Sequence, residues 1–121
     1  MNNVDYVSIS KNDDYVSIVF NIESDKVFDI GEKMGEINEE AYMNGYNWEV
    51  FLDYYLGVEA KDVKEGLNHD PEAGLYVGYY DLTEENIKKA EKLKEIIIDL
   101  IENEKTLYEY IENNGDNIPW D

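Results

Sequence analysis

Residues Val16, Ile18, Phe20 and Ile22 alternate with polar or weakly apolar neighbours, a period of two that places all four on one face of a strand. The preceding stretch, residues 4–10 (VDYVSIS), has the same β-branched and aromatic makeup, and the polar Lys11-Asn12-Asp13 supplies a tight connection between the two. A β-hairpin is predicted, with the Val16–Ile22 face toward the core. The string Asp-Tyr-Val-Ser-Ile starts at Asp5 and again at Asp14, but one short echo does not make a structural repeat.

After Ser24 the period changes to three and four. Ser24-Asp25 can cap a helix with apolar positions Val27, Ile30, Met34, Ile37 and Ala41, which Gly45 would end. Asn47 can cap a shorter helix whose apolar face is Trp48, Phe51, Leu52, Tyr55 and Leu56, closed by Gly57. Residues 58–64 follow neither period. Around Pro71-Glu72-Ala73, the flanks EGLNHD and GLYVGYYD read as a second hairpin, with Asp70 and Pro71 at the first two turn positions and Gly74 left-handed. From Thr83, an N-cap followed by Glu84 and Glu85, a helical pattern runs from Ile87 to Ile111 with a bend near Asn103 and a stop at Asn113-Asn114-Gly115. Trp120 in the tail either packs back or faces solvent. The order is ββααββα: an α+β chain, one domain over residues 1–121, its mostly antiparallel sheet covered on one face by helices.

Composition adds sign and compartment. The chain holds 121 residues, 43% of them apolar and eleven of them tyrosine, enough to fill a core despite the charge. Against 29 acidic residues stand ten basic ones, all lysine, for a formal net charge of -19. Such a field repels phosphates and anionic headgroups and attracts basic partners, so neither nucleic acid nor membrane is expected to bind. Solubility alone is the simpler account of acidity, and charge by itself does not choose between the two. Cysteine is absent, which excludes disulfides and thiolate metal sites. MNNVDYVSIS lacks the basic start and apolar run of a signal peptide, and no segment approaches the roughly 20 apolar residues of a membrane span. The expected compartment is the cytoplasm.

Residues that could carry chemistry are few. His69 beside Asp70 suggests a base oriented by a carboxylate, but adjacent residues point to opposite sides of a strand, and no serine or threonine sits in a nucleophile elbow. His69, Asp70 and Glu72 make a thin ligand set for zinc, and the spacing of a calcium loop is missing. Acid pairs suited to glycoside hydrolysis are cheap coincidences in so acidic a chain. Lys88, Lys89, Lys92 and Lys94 read as a solvated helix side paired with Glu84, Glu85, Glu91 and Glu95. No catalytic residue, metal or cofactor is expected. What remains is an aromatic and acidic surface: Tyr76 and Tyr80 share one face of the last strand, with Tyr79 on the other. Those rings either contact a partner or cover the helix-facing side of the sheet.

Two segments together, GYNWEVFLDYYL at 45–56 and DPEAGLYVGYYD at 70–81, resemble the bacterial immunity proteins of polymorphic toxin systems, specifically immunity protein family 51. The likeness spans most of residues 35–112 and is carried by Gly45, Trp48, Glu49, Asp70, Pro71, Glu72, Ala73 and Gly74. It implies a small protein that binds and blocks one cognate toxin, without catalysis; the charge adds that the toxin surface is basic, as in a nuclease. Within that motif Pro71 and Gly74 suit a turn and Trp48 a core anchor. Nothing in the fold requires the charge of Glu49 or Glu72, so these, with Asp70, Tyr76 and Tyr80, are the candidate toxin contacts. Two other readings compete: an acidic mimic of nucleic acid, or other protein-interaction module, and a small carboxylate-dependent enzyme using Asp70 and Glu72.

Overall fold

The first alternating stretches do pair. A computed structural model describes residues 4–121, in which β1 (Val7–Lys11) and β2 (Tyr15–Asn21) run antiparallel, in register from Val7 opposite Phe20 to Lys11 opposite Val16. The Asn12 side chain accepts the backbone N–H groups of Asp14 and Tyr15 at 2.8 and 2.7 Å, closing the connection as an Asx turn. Past β3 (Asn68–His69), strand β4 (Leu75–Asp81) pairs with β2, giving a four-stranded antiparallel sheet in the order β1-β2-β4-β3. Among the described residues five helices accompany it: α1 (Asp25–Ile37), α2 (Gly45–Glu59), α3 (Lys61–Lys64), α4 (Glu84–Glu102) and α5 (Glu104–Asn114), with a final 3-10 turn at Gly115–Asn117. The fold is α+β, as the periodicities indicate.

Burial follows the strand period. Val16, Ile18, Phe20, Tyr76 and Tyr80 are fully buried beneath α4, which packs on β1, β2 and β4, and α2, which packs on β4. α5 joins α1 to α4. Trp48 of α2 stands edge-on to Phe20 of the sheet at 5.1 Å and to Phe51 at 5.8 Å. Tyr15, Ser17, Val19, Leu75, Val77 and Tyr79 form the other face, which is only partly covered.

Several local expectations are corrected. Helix α1 stops at Ile37, not Ala41, because the Asn38 side chain accepts the Glu40 N–H at 3.0 Å and so competes with the next helical turn; Ala41 is buried from the following loop. Gly45 opens α2 rather than ending α1. The N-cap is Asn44, whose side chain accepts the Asn47 N–H at 3.0 Å. Asn47, expected as the cap, lies within the first turn and is buried: its amide donates to the Tyr42 carbonyl and accepts the Asp121 N–H. Gly57 is interior to α2, and part of the unassigned 58–64 stretch forms α3. The tight turn of the second hairpin falls at Glu72–Leu75, closed by reciprocal backbone bonds of 2.7 and 3.3 Å, two residues later than a turn starting at Asp70. Gly74 is not left-handed; Gly66, at φ +83°, is the left-handed residue among those described. Lys89 and Lys92 reach the Glu65 carbonyl and the Asp62 carboxylate near α3 instead of glutamates on their own helix. The break at Asn103 is as expected, and Trp120 packs back, donating its indole N–H to the Gly115 carbonyl at 2.9 Å.

The inward tyrosines make the fold sensitive to base. Burial pushes the Tyr76 and Tyr80 phenols well above their ordinary value. Tyr6 is raised in the same direction by burial and by its hydrogen bond to the Glu102 carboxylate, and Tyr110 is raised to about 12 by burial and its neighbours Tyr54 and Glu59. Unfolded tyrosines ionise near pH 10, so above that pH the unfolded chain releases protons that the folded chain keeps. Stability is therefore full below about pH 10 and falls as pH rises, by about 1.4 kcal/mol per pH unit for each retained proton. Phenolate absorbance from these rings should appear together with loss of helical circular dichroism; smooth ionisation near pH 10 in an intact fold would contradict this.

Candidate partner-binding surface

Helix α1 has two faces. Val27, Ile30 and Met34 are buried, whereas Phe28, Glu32 and Glu36, four residues apart, line the adjoining side. The 41–44 segment runs along that side, and glycine lets it approach: a Cβ on Gly31 would lie 3.0 Å from the Met43 Cβ, and one on Gly35 would lie 3.2 Å from the Ala41 carbonyl oxygen. The opposite wall is the Glu72–Leu75 turn, held to α2 by a 2.8 Å bond from the Gly45 N–H to the Ala73 carbonyl. Between them lies a cleft of about 550 Å³, within the range of pockets that take ligands or side chains.

Ile22, Gly31, Gly35, Ala41 and Met43 form its buried or half-buried floor, and Glu23, Glu32, Glu36 and Glu39 stand exposed around it. Phe28 and Tyr42 also line it, 54% and 77% exposed, values that place both outside the core. No lysine lines the cleft. The two lysines of α1 are engaged elsewhere, Lys26 with Glu102 at 2.9 Å and Lys33 with Glu104 at 4.0 Å, and the first of these bonds, with a second from Tyr6, holds the Glu102 carboxyl below its usual value. Among the described residues the four cleft glutamates have no ion pair.

The two motif segments meet at one edge of this cleft. Gly45 packs so closely on the turn that a Cβ there would fall 1.7 Å from the Glu72 carbonyl oxygen, which gives a physical reason for a glycine at 45 to accompany a tight turn at 72–75. Gly74 gives room to the Glu23 carboxylate, which a Cβ would meet at 2.6 Å. Asp70 is exposed and Pro71 half-buried just ahead of the turn, and Glu72 is exposed at its first position. Trp48 is a core anchor, 1% exposed. Glu49 is half-buried and lines a separate, shallower cleft of about 340 Å³ with Val50, Asp53, Tyr54 and Lys64.

Tyr76 and Tyr80 do not join this surface. Both are fully buried, because alternation along β4 turns residues 76, 78 and 80 toward the helices. The Tyr80 hydroxyl donates to the Val63 carbonyl at 2.6 Å, and the Tyr76 hydroxyl lies 2.7 Å from His69 Nδ1. His69 Nε2 in turn faces the Asp53 carboxylate at 3.4 Å, which Lys64 also approaches at 3.3 Å. The only histidine thus spans a buried phenol and an acid, and the two tyrosines leave the set of contacts. Among the described residues no group of three or more His, Cys, Asp or Glu is placed to hold a metal, and no helix is long and apolar enough to cross a membrane.

Phe28, Glu32, Glu36 and Tyr42 escape a reading that looks for the buried stripe. Their signal is nevertheless present in the sequence. Phe28 falls off the Val27-Ile30-Met34 spacing, Glu32 and Glu36 stack like charges at i and i+4, and Gly31 and Gly35 sit inside the helix. Like-charge pairs cost a few tenths of a kcal/mol, and each interior glycine costs about 0.5–1 kcal/mol relative to alanine. Helix α1 accepts these costs on the side that lines the cleft.

Comparison with known proteins places this surface in context. The model of a family described as immunity protein 51 matches residues 7–116, which includes every strand and α-helix described above. No curated protein and no solved structure matches the chain.

Proposed function

Because the chain belongs to the immunity protein 51 family, we propose that it binds one cognate toxin domain in a tight stoichiometric complex and blocks it in the cytoplasm without catalysis. The observation that supports this reading is the cleft beside α1, where exposed aromatic rings and unpaired carboxylates occur together. Carboxylates accelerate encounter with a basic partner by long-range attraction, while desolvated rings lengthen the life of the complex. The one His-Asp-Tyr set argues against an enzyme, since the Tyr76 phenol that His69 contacts is fully buried and out of a substrate's reach.

Co-expression with the product of the adjacent upstream gene tests the proposal. A stable complex and relief of toxicity are expected. Raising salt from about 50 to 500 mM should slow association several-fold and leave dissociation nearly unchanged, as screening acts on encounter. Absence of a complex at micromolar concentration, or turnover of a small molecule by the purified chain, would end this reading. Displacement of DNA from many unrelated basic proteins would instead indicate a nucleic-acid mimic.

A further inference from the structure

We infer that the cleft beside α1 receives a protruding segment of the toxin that carries Lys or Arg side chains on either side of an apolar residue. The toxin then inserts into this protein, rather than this protein into a toxin cleft. The inference rests on the toxin-binding reading and adds to it a site, a direction of insertion and the chemistry of the inserted segment.

Shape sets the direction. The feature on this chain is concave, about 550 Å³, and its floor of Ile22, Gly31, Gly35, Ala41 and Met43 carries no charge. Such a floor suits an apolar side chain or the aliphatic stem of a lysine or arginine. Charge sets the sign. Glu32 and Glu36 stand one helical turn apart, about 5–6 Å between Cβ atoms, with Glu23 and Glu39 also at the cleft, so two cations flanking an apolar residue each meet a carboxylate. A purely apolar segment would desolvate those acids without pairing them, which is costly. A second copy of the chain brings the same -19 charge and is repelled. Of the large apolar side chains that are exposed, Phe28 and Tyr42 line the cleft. Their faces offer an arginine a cation–π partner.

Two arms test this. In the first, the Glu32→Lys/Glu36→Lys and Phe28→Ser/Tyr42→Ser double variants are titrated with the toxin, alongside Glu91→Lys/Glu95→Lys, which makes the same charge change on the exposed side of α4. Glu32 and Glu36 are exposed near the C-terminal end of α1, where lysine suits the helix dipole and the like-charge pair is only changed in sign, so folding is preserved and thermal melts confirm it. The expected result is at least a hundredfold loss of affinity and loss of protection for both cleft variants, with less than threefold change for the α4 variant. Wild-type affinity in the cleft variants overturns the inference while leaving the immunity reading intact.

The second arm needs no toxin. Amide chemical shifts of the protein are followed during titration with the capped hexapeptide Lys-Leu-Arg-Lys-Leu-Arg, with its Leu-to-Ser counterpart, and with spermidine. Shifts confined to residues around Phe28, Glu32, Glu36, Tyr42 and Ala73, at least tenfold weaker for the serine peptide and for spermidine, support the inference. Shifts spread over the whole acidic surface, equal response to all three probes, or no response overturn it. If wild-type protein ignores the toxin, the immunity reading fails and this second arm alone decides the chemistry of the cleft.

Discussion

Replacing Trp48 with alanine should lower unfolding free energy by about 3–5 kcal/mol. The indole is 1% exposed and packs edge-on between Phe20 of β2 and Phe51 of α2, so it links the sheet directly to that helix. Its removal deletes two aromatic edge contacts and leaves a cavity walled by a strand and a helix, neither of which can collapse easily. Against the 5–15 kcal/mol that stabilises a typical domain, the variant should be marginal at 37 °C. Urea unfolding followed by circular dichroism gives the number, and Trp120, which packs against the Gly115 carbonyl, remains as an independent fluorescent reporter. Trp48→Phe should cost less, since it keeps one ring in the stack. A loss below about 1 kcal/mol for the alanine variant would show that the neighbours refill the space.

Trp48 also illustrates what was legible in the sequence. Strands 1, 2 and 4, the helix α2, the long pattern from Thr83 and its break at Asn103 all follow from short-range periodicity and capping, and the structure has them. The errors are of one kind. Asn44 and Asn47 are both plausible caps, and only the tertiary bonds of Asn47 to Tyr42 and to Asp121, 74 residues away, settle which one is inside the helix. Ala41 continues the spacing of α1 but is buried from a loop, because spacing does not show where the backbone leaves the helix. Tyr76 and Tyr80 share a strand face, yet alternation alone does not say which face the helices cover. The helix-facing alternative is the one observed.

The cleft was missed for a related reason. A search for acids beside rings within one segment finds residues 69–81, whereas the cleft takes Phe28, Glu32 and Glu36 from α1, Tyr42 from the following loop and Ala73 from the second hairpin. Only the docking of α2 on the Glu72–Leu75 turn brings these together. Charge placement has the same long-range character. Lys26 and Lys33 turn to Glu102 and Glu104, and Lys89 and Lys92 turn to the α3 region, so local pairing rules misjudge which acids are left unneutralised. A -19 chain has unpaired acids everywhere; what singles out four of them is that they line one cleft together with exposed aromatic rings and no lysine.

Gly45→Ala should cost about 2–4 kcal/mol, and it should damage the cleft as well as the fold. The added Cβ would lie 1.7 Å from the Glu72 carbonyl oxygen and 2.6 Å from that of Leu75. Both are backbone atoms of a turn closed by its own hydrogen bonds, so neither can swing aside. Overpacking of this kind costs roughly 1–3 kcal/mol, and separating α2 from the turn also strains or breaks the Gly45–Ala73 hydrogen bond, worth about 1 kcal/mol more. Displacing that turn shifts one wall of the cleft, so toxin affinity should fall at temperatures where the variant is still folded, with altered amide shifts at Ala73 and Leu75. Gly57→Ala is the internal control in the same helix. A Cβ there meets the flexible end of Lys64 at 3.3 Å, and alanine is favoured over glycine inside a helix by about 0.5–1 kcal/mol, so stability should rise. Opposite signs for one substitution at two positions of α2 would tie the effect at residue 45 to the docked turn; equal signs would show that the contact yields and that α2 sits on the turn more loosely than its geometry demands.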